Sequence, residues 1–146
     1  MGVFESALVI STLLCALVAG FVFAFASVVM PGIEGFDDRE YLRTFKAMDL
    51  VIQRNQPPFM LVWLGSVLTL LITVLLGFWH LAGMDRLLLM VAGATYLFGV
   101  QLPTATINVP LNNWLQKLEL DSLGDSEIHE ARVRFEDRWI KWNLIR

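Results

Sequence analysis

Gln101, Thr104 and Asn108 fall at helical spacing, with Asn112 one turn further on. They end a long apolar run that begins at Leu87, where a helix passes from lipid to water. Pro103 and Pro110 each remove a backbone donor and free a carbonyl one turn earlier. A polar stripe on a lipid-embedded helix is costly unless it faces protein, water or a ligand. Gln53, Gln56, Asn113 and Asn143 extend the set of amides, with Arg146, Glu34 and Trp142 nearby. Amides offer donors and acceptors without charge. A pocket of them can orient a phenol or ketone and stabilise an enolate as it forms. In this reading Asn108, Asn143, Arg146 and Glu34 carry the chemistry. Arg146 adds positive charge, and Glu34, once desolvated, serves as base. Gln53, Gln56, Gln101, Asn112 and Trp142 contact the substrate. The same residues also have a structural use. Amides at helix ends cap backbone groups and tie loops together, and Trp139 and Trp142 anchor an interface.

Other chemistries lack their motifs. The two histidines, His80 and His129, are expected on opposite faces of a membrane, and no Cys-x-x-Cys or His-x-x-x-His is present. No metal site and no cofactor is therefore expected. There is no glycine-rich phosphate loop, and Gly32-Ile-Glu-Gly35 reads as a turn. No basic stripe supports nucleic-acid binding. Cys15 is the only cysteine, so no intrachain disulfide can form.

The elements that must position these residues are helices in lipid. Hydrophobic residues make up 56% of the 146, above the roughly 45–50% of soluble domains. The mean hydropathy is +0.60. The excess sits in three blocks, read as spanning helices over about 4–30, 57–81 and 87–107, each near the roughly 20 residues that a bilayer requires. Met30-Pro-Gly32 ends the first, and Pro57-Pro58 opens the second in the first turn, where helix donors have no partners. Ala82-Gly-Met-Asp-Arg86 makes helices two and three antiparallel neighbours. Ala16, Gly20 and Ala24 form one small-residue face; Gly65, Thr69, Thr73 and Gly77 form another. Such faces allow close helix approach and a possible homo-oligomer.

Amphipathic helices follow over about 38–54, 110–120 and 126–145. Tyr41, Phe45, Met48 and Ile52 share a face of the first, which Asp37 or Asp38 caps. Ile128, Ala131, Phe135, Trp139 and Trp142 line the last, with Asp125 or Ser126 as its cap. The fold class is thus all-α, a single membrane helical-bundle domain over 1–146. Ten of the eleven Lys and Arg residues lie on one side of these spans. That excess marks the cytoplasmic side. It places the amides there and Met1 outside, in an inner or plasma membrane, with membrane lipid and a lipophilic aromatic small molecule as expected partners.

Met30-Pro-Gly32, Gln56-Pro57, Asn108-Val-Pro-Leu-Asn112 and Trp139-x-x-Trp142-Asn143-x-x-Arg146 together resemble the anthrone oxygenase-like family of small membrane proteins. The resemblance covers nearly the whole chain in order. It implies oxygenation of an anthrone to an anthraquinone without metal or flavin. It also implies a fourth spanning helix if the chain continues past Arg146, and an Asn where this chain has Gln56. The alternative is a non-catalytic membrane scaffold or assembly partner. A transporter ranks last, because no buried charge is expected along the three spans.

Overall fold

The computed structural model describes residues 2–146, and Met1 lies outside the described residues. Over them the chain is helical, without strands. Its α-helices are α1 (Val3–Ala24), α2 (Met30–Ile33), α3 (Asp38–Gln53), α4 (Pro57–His80), α5 (Gly83–Ala94), α6 (Val109–Gln116) and α7 (Asp125–Ile145). Wider π-helical turns occupy Phe25–Val29, Thr95–Gln101 and Thr104–Asn108. Three stretches are long and apolar enough to cross a membrane: Val3–Ile33, Pro57–His80 and Gly83–Gln116.

The second span agrees with its sequence reading. The other two run further than expected, for one shared reason. Met30-Pro-Gly32 does not end the first helix, which continues to Ile33. The third helix passes Asn108 without a break, so the interfacial helix expected over 110–120 is its final part and stops at Gln116. A proline ring displaces the carbonyl four residues back and removes a donor. Here each interior proline is preceded by a π-helical turn. Met30, Leu102 and Val109, the residues just before Pro31, Pro103 and Pro110, donate five residues back, to the carbonyls of Phe25, Leu97 and Thr104. The widened turns absorb the prolines and the helices continue.

The chain forms two compact units. One comprises residues 2–21 and 57–102. Its small residues mark the helix contacts. A Cβ on Gly77 would strike the Leu89 side chain and meet Phe4 at 3.2 Å, and one on Gly93 would meet Val74 at 2.8 Å. Thr73 donates to Ser11 at 3.2 Å, and both are buried. The face containing Gly65, Thr73 and Gly77 is therefore a packing face. The face containing Ala16 and Gly20 is not: both are exposed, and a Cβ on Gly20 would meet nothing within 4 Å. Leu61, Leu64, Leu68, Leu71 and Leu75 point outward. A run of exposed leucines along a 24-residue helix suits hydrocarbon rather than water.

The other unit comprises Val22–Gln56 and Pro103–Arg146. Here α3, α6 and α7 close around Tyr41, Phe45, Leu115, Ile128, Phe135 and Trp139. The Phe45 ring lies 4.6 Å from Phe135 and 5.1 Å from Trp139, both edge-on, a favoured aromatic arrangement. On α7 the buried stripe runs from Phe135 through Trp139 to Asn143, with Trp142 half-buried beside it. Two steps of four residues carry the face to the amide, not to the second tryptophan. Asp37 caps α3 by accepting from the Glu40 N–H at 2.8 Å. The cap of α7 is Gly124, one residue before Asp125 and two before Ser126, and the Glu127 carboxylate accepts its N–H at 2.8 Å. Arginines finish the loops. Arg39 donates to the carbonyls of Leu120 and Leu123, and Arg132 to those of Glu34 and Phe36.

Candidate active site

Polar side chains of the second unit meet in two linked groups. In the first, Asp49 comes from α3 and is 4% exposed. Its Oδ1 accepts from Asn112 Nδ2 at 2.7 Å, and its Oδ2 accepts from Gln53 Nε2 at 2.7 Å and Gln116 Nε2 at 2.8 Å. A buried carboxylate is tolerable only when its lone pairs find donors, and three amides supply them. Gln53 also donates to Asn113 Oδ1 at 3.2 Å, and Gln116 to the Lys46 carbonyl at 2.9 Å. These bonds tie α3 to α6.

Trp139 links the two groups. Its indole N–H donates to Asn112 Oδ1 at 2.8 Å, while its backbone carbonyl accepts from Asn108 Nδ2 at 3.2 Å. The orientation of Asn108 follows, since only its NH2 end can face a carbonyl. Its Oδ1 is left buried and without a partner, in a residue only 1% exposed. One turn further along α7, Asn143 donates to the Val22 carbonyl at 3.3 Å, and its Oδ1 accepts from Arg146 at 2.8 Å. Arg146 also donates to Thr104 Oγ1 at 2.7 Å and lies 5.7 Å from the Trp139 ring. Among the described residues no carboxylate pairs with this guanidinium. Burial pulls it down to about 10, so it remains charged at neutral pH. The arrangement offers a free buried acceptor at Asn108 and an uncompensated cation that is bonded to Thr104, one helical turn before it.

Of the residues singled out from sequence, Asn108, Asn143, Arg146, Gln53, Asn112 and Asn113 enter these groups. Gln56 is exposed beyond α3. Glu34 is exposed as well, and it is its backbone carbonyl that takes part, accepting from Arg132. The desolvation that a base at Glu34 needs is absent. Gln101 belongs to the first unit, where its Oε1 accepts from Trp63 Nε1 at 3.1 Å. There Ser66 and Tyr96 share a hydrogen bond of 2.6 Å. Asp49 and Gln116 escaped the sequence reading. The signal for Asp49 was present: four residues after Phe45, it is an acid on the apolar face of an amphipathic helix.

Residues 45–146 match the family model described as anthrone oxygenase. No curated protein and no solved structure matches the chain. The matched region contains both hydrogen-bonded groups apart from the Val22 carbonyl.

Proposed function

The chain belongs to the anthrone oxygenase family, and on that premise we propose that it oxidises a lipophilic phenolic or anthrone-like substrate with O2 at the Asn108–Arg146 group, on the cytoplasmic side of the membrane. The observation that carries this reading is the unpartnered Oδ1 of Asn108. A buried acceptor left unsatisfied is costly, and a phenolic O–H supplies the missing donor. As the substrate ionises, its oxygen gains negative charge, which the unpaired Arg146 guanidinium stabilises. The ring carbon of the anion passes electrons to O2 and forms a C–O bond. The proton lost on ionisation passes to water, and water returns one to the peroxide anion; the resulting hydroperoxide then eliminates water. In sum, a CH2 group and O2 become C=O and H2O.

The test is direct. Purified protein in detergent is incubated with an anthrone in aerated buffer while quinone absorbance is followed. Turnover above spontaneous oxidation is expected, and Asn108→Leu should remove most of it while keeping side-chain volume. A rate equal to spontaneous oxidation, for anthrones and related phenols alike, would count against the proposal. The second reading, a non-catalytic membrane scaffold, draws support from one observation: Gln53, Asn112 and Gln116 all donate to Asp49. It expects a folded protein with no turnover on any phenol.

A further inference from the structure

Asp49 is the only buried carboxylate among the described residues, and neutral amides alone surround it. The neighbouring cations point elsewhere. Lys46 Nζ donates to the Leu118 carbonyl, and Arg43 pairs with Asp121. What an ionised carboxylate brings to this place is polarity of one kind, since it accepts and never donates. Asn112 has one end that accepts and one that donates, and it bridges two groups of fixed character. The Trp139 indole only donates, so it takes the Asn112 oxygen; Asp49 only accepts, so it takes the nitrogen. With a donor at position 49, Asn112 would gain by turning over, and its NH2 would then face the indole N–H. Trp139 would lose its anchor. Its carbonyl is the group that holds Asn108 with the nitrogen inward and Oδ1 free.

We infer that Asp49 is the positioning residue of this site: by acting only as acceptor it sets the direction of Asn112, thereby fixing the Trp139 indole and the free acceptor of Asn108. The inference rests on the reading that Asn108 receives the substrate hydroxyl. Asp49 touches no substrate and transfers no proton.

A reciprocal exchange tests it. Full-length protein carrying 5-fluorotryptophan is compared as wild type, Asn112→Asp, Asp49→Asn and the double variant, with the Trp139 fluorine resonance assigned through Trp139→Phe. Binding of 1,8-dihydroxyanthraquinone, a phenol already at the quinone level, is titrated in parallel. Asn112→Asp sets two carboxylates face to face in the core. It should move the Trp139 resonance and weaken probe binding at least tenfold. Adding Asp49→Asn sets an amide opposite the new carboxylate, which still accepts from the indole. Both readouts should then return to near wild type. If Asn112→Asp does not fold, recovery of folded protein in the double variant reports the same coupling. An unmoved resonance in Asn112→Asp, or no recovery in the double variant, overturns the inference. Failure of the wild type to bind the probe would sink the oxygenase reading instead, and the resonances would still decide the role of Asp49.

Discussion

At Asn108 the two ends of one amide have different tasks, and substitutions separate them. Asn108→Ala removes the side-chain donor to the Trp139 carbonyl, at about 0.5–1.5 kcal/mol. Asn108→Asp keeps the shape but sets a charged oxygen against that carbonyl inside the core, and the expected loss is on the order of 3 kcal/mol or more. Thermal unfolding in detergent should rank wild type above Ala and Ala above Asp; an Asp variant as stable as wild type would contradict the assigned orientation. A second prediction concerns Asp38, whose carboxyl is held below its usual range, chiefly by the hydrogen bond with His129 and also by Arg132. A carboxylate depressed in the folded state contributes stability above its unfolded value near 4, and that contribution disappears as pH falls through the folded value. Asp38→Asn should therefore reduce the difference in unfolding temperature between pH 5 and pH 3. Sequence alone singled out Asn108, Asn143 and Arg146, which the fold brings into one hydrogen-bonded group, because amides and a cation at helical spacing beside lipid demand a reason. It passed over Asp49 because an acid on a water-edge helix reads as solvated until its neighbours are known. It overvalued Glu34, since nothing in spacing tells whether a loop carboxylate is covered.

Among the elements, packing in the unit of residues 2–21 and 57–102 depends on glycines at particular positions. Gly77→Leu and Gly93→Leu drive a side chain into Leu89 and Val74 respectively, and overpacking of this kind costs about 1–3 kcal/mol. Gly20→Leu enters open space and should leave the unfolding temperature unchanged. Equal loss from all three would mean that the Gly20 face is covered after all. The small-residue periodicity was legible in the sequence, but which of two similar faces is packed was not, because a face of Ala and Gly looks the same toward a helix and toward lipid. The prolines were legible as points of broken hydrogen bonding. Their outcome was not, since a helix can end at a proline or widen before it, and the choice rests on tertiary contacts further along.

For the whole molecule, the lengths of the three membrane-competent stretches matter most. At 1.5 Å per residue, Gly83–Gln116 extends about 50 Å against a hydrocarbon core of about 30 Å. Part of it must stand outside the lipid. The orientation proposed above puts the amide-bearing end in the cytoplasm. Gly83 has a φ of 53°, so a reporter belongs at its exposed neighbour. In a background without Cys15, Met84→Cys should react with an impermeant thiol reagent added to intact cells, while Ser126→Cys should react only after lysis. The reverse pattern would invert the orientation and leave the helices as they are.

The widened turn at Thr104–Asn108 has a consequence for changes in chain length. A π-helical turn is a regular helix carrying one surplus residue, with the helix on either side still in phase. Deleting a residue elsewhere in such a helix rotates everything after it by about 100°. Deleting Thr106, with Pro110→Ala to remove the need for the wide turn, should instead return the segment to ordinary geometry. Leu111 and Leu115 would keep their inward phase, while the relation between Thr104 and Asn108 would change. The shortened chain should fold and unfold near wild type yet show no turnover above spontaneous oxidation. At a widened turn the chain can lose a residue and keep its frame.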